Sequence, residues 1–346
     1  MISYTYEDKL VVSSLGKISA LVAAVLVGGG IAFSSKAAQQ KTLTIYSGRE
    51  EKLIAPLIAQ AEKDLGMDIE VRYGDTAELA IALLEEGKNS RADLFFAQDA
   101  GALGAVAKEK RTLPIANNLL TKVEPQFRSS AGQWIGISGR ARVIDYNTKL
   151  VKASELPTSI AQLTNPKWRG KIGWAPSNGS FQSFVTAMRL LEGNEKTLAW
   201  LKAMKANGTK DYAKNAAIVE AVGKGEISLG LVNNYYLYRF TKDNANFPVA
   251  HHYTRRDAGA MVNVAGLAVL NSTDQKSDAD KFVAYMLAPK AQAFFAQETN
   301  EYPLVKGIQA SQKQIPLSQL KPPKVDLSNL SDLQGTIELL QEAGVL

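Results

Sequence analysis

From Lys41 onward the chain alternates short apolar strand patterns with amphipathic helical ones, and this alternation restricts the fold more than any other feature. Thr42–Tyr46 reads as a strand, and Glu50–Leu65 as a helix with apolar residues at helical spacing. Met67–Tyr73 sets Met, Ile, Val and Tyr against Asp, Glu and Arg, the pattern of a half-buried strand. Asp75-Thr76-Ala77-Glu78 has the spacing of a capping box and opens a helix over Leu79–Glu86, which Gly87 stops. Ala92–Ala97 is a short buried strand, followed by a helix over Gly101–Lys110. The theme repeats downstream, with strands at Ala141–Tyr146, Lys171–Trp174 and Ile227–Val232 and helices at Ser180–Leu191, Glu195–Lys205 and Ala216–Val222. Val262–Leu270 reads as a long apolar strand, and helices at Asp278–Leu287, Lys290–Glu298 and Leu333–Ala343 close the chain. Alternation of this kind predicts an α/β fold with a mainly parallel sheet.

At 346 residues the chain exceeds one ordinary core, so two α/β lobes are expected. Residues 40–141 with 266–316 would form the first lobe, and 142–265 with 317–346 the second. Strands would cross at a hinge and leave a cleft between the lobes. Residues 1–37 stand apart: Lys9 and Lys17 precede an apolar stretch from Ile18 to Phe33, and Ser35-Lys36-Ala37 offers small residues at a cleavage site. That layout predicts a Sec-type signal peptide and export, with an uncleaved N-terminal anchor as the alternative.

Charge and cysteine usage exclude several classes. The formal net charge is +6, but no run of five like charges occurs, so no nucleic-acid footprint is present. A scattered positive excess suits a surface that draws in anions. With no cysteine there is no thiolate ligand, thiol nucleophile or lipid acceptor, so an exported chain of this kind is expected free in a periplasm. The only histidines, His251 and His252, are adjacent, and no Gly-x-Ser-x-Gly, HExxH or P-loop pattern occurs. An enzyme, with a hydrolase as the remote case, is therefore not expected.

Asn233-Asn234-Tyr235-Tyr236 lies at the end of a predicted buried strand. In a continuing strand two adjacent tyrosines would face opposite sides. At a strand end turning into a loop or helix they can converge, and ligands in open α/β sheets bind beyond the carboxyl ends of strands. Two phenol oxygens on one site suit a hard, highly charged cation such as ferric iron, which could hold them ionised at neutral pH. An ordinary aromatic cluster is the competing reading.

The mature part resembles the transferrin-like periplasmic ferric-ion-binding proteins of bacterial ABC importers. The resemblance is carried by Tyr46-Ser47-Gly48-Arg49-Glu50-Glu51, Tyr73-Gly74-Asp75-Thr76-Ala77-Glu78-Leu79 and Ala92 to Gly101. Ile137 to Val143, Pro166 to Gly173, Tyr212-Ala213-Lys214-Asn215 and Asn233 to Tyr236 continue it in the same order. It implies a two-lobed periplasmic-binding-protein fold, Fe³⁺ as cargo, and an importer's membrane subunits as partners of a monomer. It implies Tyr235 and Tyr236 as metal ligands, with Glu50 standing where one branch has a histidine. Ala97 stands where that branch has a carboxylate. Tyr146 matches a tyrosine of another branch, as ligand or as hinge packing. Gln98, Ser138, Gly139, Asn215 and Asn233 match positions that hold a phosphate or carbonate-like synergistic anion, and Arg49, Arg140 and Arg142 could add charge. Receptors of the same fold for an oxyanion, a polyamine or an organic acid are the alternatives.

Overall fold

A computed structural model describes residues 42–311 and 314–346. The expected leader, residues 1–37, lies outside the described residues.

The first strands and helices follow the apolar periodicity closely. Strand β1 (Leu43–Ser47) leads to helix α1 (Glu51–Leu65), which buries Ile54, Leu57, Ile58 and Ala61 at helical spacing and stops at Gly66 in the left-handed conformation. Then follow β2 (Ile69–Tyr73), α2 (Thr76–Glu86), β3 (Leu94–Ala97) and α3 (Ala100–Lys108). The start of α2 differs from the expected reciprocal box: Asp75 caps it by accepting from the Ala77 N–H at 2.8 Å. Short β4 (Thr112–Leu113) and α4 (Asn117–Leu120) precede β5 (Ile135–Asn147), which is thirteen residues long and more than twice the expected strand. Gly136-Ile137-Ser138-Gly139 obscures the first half of β5 in the sequence, because glycine and serine are poor strand formers.

The second half of the molecule contains β6 (Ile172–Trp174), α5 (Gly179–Glu192), α6 (Asn194–Ala206), β7 (Lys210–Asp211) and α7 (Asn215–Lys224). After these come β8 (Leu229–Asn233), α8 (Tyr235–Thr241), β9 (Val249–His252) and β10 (Val262–Leu270). Helices α9 (Lys276–Met286) and α10 (Pro289–Gln297), strand β11 (Tyr302–Pro303) and helix α11 (Leu333–Glu342) complete the chain.

The main strand path runs β2-β1-β3-β10-β5-β8-β6-β7. It is mixed rather than mainly parallel. The β1–β2, β1–β3, β6–β8 and β6–β7 pairs are parallel, whereas β10 and β5 run antiparallel to every neighbour. The reason is that β5 and β10 are the strands that join the two halves. Strand β5 changes partners within its length: Ala141 pairs with Val262 of β10, while Arg142 pairs with Asn233 of β8.

The last thirty residues span both halves, where a place wholly in the second lobe was expected. The turn over Leu327–Ser331 packs on α3, so closely that a Cβ on Gly101 would meet the Leu330 carbonyl at 2.7 Å and one on Gly104 the Ser328 carbonyl at 2.8 Å. Helix α11 instead lies on α5, with Thr186 and Thr336 hydroxyls 2.7 Å apart and Arg189 Nη1 donating to Thr336 Oγ1 at 2.9 Å. A Gly104→Val substitution should therefore destabilise the protein by about 1–3 kcal/mol. The gain in helix propensity over glycine, at most about 1 kcal/mol, is smaller than the clash with a backbone carbonyl. Urea denaturation measures this, and an unchanged midpoint would mean that the C-terminal turn yields freely.

Candidate functional site

The carboxyl ends of β1, β3 and β8 build two facing walls. On the first, β1 turns through Gly48 and Arg49 into α1. A Cβ on Gly48 would sit 1.9 Å from Thr76 Oγ1, so only glycine allows the turn to press against α2. Thr76 Oγ1 donates to the Gly48 carbonyl at 3.3 Å and accepts from the Gln98 N–H at 3.2 Å, joining the ends of β1 and β3. Gln98 is half-buried at this junction, and Ala97 before it is fully buried core.

On the second wall β8 ends at Asn233, and Asn234 is already helical. Asn234 is locked to β5 by two bonds: its N–H donates to the Ala141 carbonyl at 3.0 Å, and its Oδ1 accepts from the Ala141 N–H at 2.9 Å. Helix α8 therefore begins at a fixed point, at the residue where β5 changes partners. Helical geometry then places Tyr235 and Tyr236 side by side, ring centres 4.3 Å apart and inclined by 29°. Both are buried. Burial, with Tyr236 alongside, holds the Tyr235 phenol well above its ordinary pKa, while Arg140 and Arg49 oppose that shift.

Arginines face the pair. Arg49 is 2% exposed, and its Nη2 lies 2.6 Å from Glu301 Oε2. Burial acts to lower the pKa of Arg49, but Glu301 and the two tyrosines outweigh it, so the net shift is upward. Arg142 donates from Nη2 to the Leu231 carbonyl at 2.9 Å and packs over Phe184, 5.0 Å from the ring centre. Burial depresses its pKa, opposed by Tyr236; a guanidinium keeps its proton at neutral pH, so this is a buried charge in want of an anion. Arg140 is 1% exposed and none of its three side-chain nitrogens has a hydrogen-bond partner. Its charge acts on Asp99, whose carboxyl burial nonetheless pushes up. Arg49 Nε and Nη1, Arg142 Nε and Nη1, Ser138 Oγ, Asn233 Nδ2 and Asn215 Oδ1 are likewise buried without partners. Unpaired buried polar atoms on this scale are costly for a protein to keep unless a ligand meets them.

The residues singled out from sequence separate into groups. Tyr235, Tyr236 and Glu50 converge: Glu50 Oε2 lies 3.2 Å from Arg239 Nη2, and the Arg239 guanidinium carbon is 5.0 Å from the Tyr236 ring centre. Tyr146 does not join them. It pairs with Leu229 and Ala250 four residues beyond Arg142, about 13 Å along the strand, and packs half-buried against the core. Asn215 opens α7 and donates to Asn178 Oδ1 at 3.2 Å and Ser180 Oγ at 3.3 Å, bringing the amino ends of α5 and α7 together. Ser138 and Gly139, which the resemblance matches to anion-holding positions, lie inside β5 between β10 and β11. Gly139 makes room there for Leu304 and Tyr302, at 3.1 and 3.3 Å from an added Cβ. Ser138 Oγ shares a strand face with Arg140 and Arg142. Asn178 was not singled out from sequence, and Ser180 was read only as the first residue of a helix. Their Asn-Gly-Ser run before an apolar helix was the available signal for an anion-attracting helix start. Glu301 left no signal at all, since it meets Arg49 across 252 residues of chain.

Two α/β halves with ligand groups at facing strand ends define a two-lobed solute receptor. The chain belongs to the bacterial extracellular solute-binding protein family, whose pattern matches residues 89–325. It is 34% identical to the Fe(3+)-binding periplasmic protein of Serratia marcescens over 98% of this chain and all of that one. It is 30% identical to the major ferric iron-binding protein of Neisseria meningitidis, over 88% of this chain and 93% of that one. Among solved structures, iron-bound HitA from Pseudomonas aeruginosa is 34% identical with a TM-score of 0.83, covering 88% of this chain and 99% of that chain. Trichodesmium FutA, in complex with iron and citrate ligands, is 29% identical with a TM-score of 0.78, over 88% and 99%.

Asn234→Ala should lower stability by about 1–3 kcal/mol, because it strips a buried N–H of its acceptor. It should also loosen α8. Urea denaturation and near-ultraviolet circular dichroism of the tyrosines check both, and a native tyrosine signal would show that the clamp does not set their geometry.

Proposed function

We propose that this chain captures ferric iron in the cleft between its lobes and hands it to the membrane subunits of an ABC importer. The observation that carries this reading is the stacked, buried Tyr235–Tyr236 pair facing the Arg49 and Arg140 guanidiniums. Neutral phenols gain little from that setting. Phenolates gain a great deal, and a trivalent oxygen-seeking cation is what can strip both phenols of their protons near neutral pH. Tyr235, Tyr236 and Glu50 are the proposed protein ligands, with Tyr146 assigned to packing. Since Ala97 offers no donor, a small anion completes the shell. The partnerless nitrogens of Arg140 and Arg142, with Ser138 Oγ and Asn233 Nδ2, are where phosphate or a carbonate-like group would be met, and Asn215 would turn its Nδ2 to it from Asn178 and Ser180. The anion also separates Fe³⁺ from the arginines, which otherwise repel it. Gln98 stands at the rim, and Gly139 acts only by its small size.

The lobes are proposed to be residues 40–141 with 266–316 and 142–265 with 317–346, the C-terminal segment bracing both. The protein acts as a monomeric receptor rather than an enzyme, exported to the periplasm behind the 1–37 leader. Among the described residues no helix is long and apolar enough to cross a membrane. The excess of buried guanidinium supports a second reading, a receptor of the same fold for a metal-free organic polyanion.

Titrating the full chain with chelated Fe³⁺ separates the two. A visible phenolate-to-iron band saturating at one equivalent is expected, and Tyr235→Phe and Tyr236→Phe should each weaken binding at least about 100-fold. No band, together with thermal stabilisation by citrate alone, would replace iron with the polyanion.

Acid should release the metal. A phenol must lose its proton to ligate iron, and burial holds that of Tyr235 all the tighter, so binding through both tyrosines frees about two protons and apparent affinity falls about 100-fold per pH unit on acidification below neutrality. Competition against a chelator of known proton dependence measures the slope. A slope of one proton or fewer would mean that only one tyrosine reaches the iron.

A further inference from the structure

Arg239 is a further cation at the tyrosine pair, and it reaches across to the opposite wall. It follows Tyr235 by four residues and Tyr236 by three, so one turn of α8 returns its side chain to the face carrying the pair. The guanidinium carbon lies 5.0 Å from the Tyr236 ring centre and 5.8 Å from that of Tyr235, and Nη2 reaches Glu50 Oε2 at 3.2 Å. Glu50 sits on the opposite wall, at the N-cap of α1. The acidic N-caps of the other described α-helices bond their own helices: Asp75 accepts from Ala77 N–H, Asp99 from Ala102 N–H and Asp332 from Gly335 N–H. Glu50 makes no such bond, and its carboxylate is turned across the cleft instead.

We infer that Arg239 latches the metal-free cleft by bridging Glu50 to the tyrosine pair, and that incoming metal takes Glu50 by displacing this guanidinium. The latch itself is independent of the cargo; its role in selecting the cargo rests on the ferric reading given above. The ion pair joins residues 189 positions apart and links the first wall to the second, while the ring contacts lie within α8 and hold the guanidinium in place for it. A half-exposed ion pair shifts an equilibrium about two- to fivefold. That pair biases the cleft toward closure by about the same factor. The same contact sets a threshold for entry. A trivalent ion bonding a carboxylate and two phenolates repays the lost contacts, whereas a divalent ion with weaker bonds to phenolate repays less, so Arg239 acts as a positioning and specificity residue.

Small-angle scattering of the metal-free full chain tests the latch without reference to iron. The Arg239→Gln and Glu50→Gln variants should each show a larger radius of gyration than the wild type. Arg239→Lys should fall between, keeping the charge but losing the planar contact. Exchanging the two, Glu50→Arg with Arg239→Glu, should restore compactness. Scattering that is identical in wild type, Arg239→Gln and Glu50→Gln would overturn the latch. For the entry threshold, stopped-flow mixing with chelated Fe³⁺ should show Arg239→Gln associating about three- to tenfold faster than wild type, with Zn²⁺ binding gaining more than Fe³⁺. Unchanged association with unchanged Fe³⁺-over-Zn²⁺ preference would overturn the selection role. If the wild type gives no iron band but the glutamine variants still open, the cargo assignment fails and the latch stands.

Discussion

The bond pattern at Ala141 governs the molecule. Both its backbone groups are held by Asn234, and there β5 leaves β10 and takes β8 as its partner. One strand thus serves both halves, and its crossing point fixes where α8 begins. A strand end left to find its own exit would present successive side chains to opposite faces. Held at Asn234, the chain enters a helix at once, and two adjacent tyrosines come to stack.

Around that point the protein gathers buried positive charge that its own acids only partly offset. Arg49 is paired with Glu301, Arg140 has Asp99 nearby, and Arg142 has only a carbonyl and two aromatic rings. Desolvating a guanidinium is expensive, and pairing recovers that cost only where the geometry is good. The arrangement makes sense if the site is completed by negative charge arriving with, or created by, the ligand. Phenols that ionise on metal binding and an anion that accompanies the metal both supply it. Glu50 and Arg239 meet the same demand in miniature, neutralising each other across the cleft.

Most element positions could be read along the chain, because each has a clear local signature. Helix α1 carries its apolar stripe and its terminal Gly66, and β10 is an uninterrupted apolar run found at its expected bounds, Val262–Leu270. The failures share one physical cause, which is that long-range pairing overrides local preference. The glycines and serine of Ile135–Gly139 form strand because β10 and β11 flank them, not because those residues favour it. The sheet is mixed because β5 and β10 must run between the halves. Tyr146 carries the same chemistry as Tyr235, yet register places it four residues down a strand from the site.

What the sequence by itself determined is the alternating α/β build, the lack of thiol and most imidazole chemistry, and the tyrosine pair at a strand end. Each of these is a property of neighbouring residues or of composition. The tertiary structure decided which charges meet. Arg49 finds Glu301, Glu50 finds Arg239 and Asn215 finds Asn178 across 252, 189 and 37 residues respectively. No local pattern encodes such partners, because each contact exists only once separate elements have been brought together by packing of the core they share.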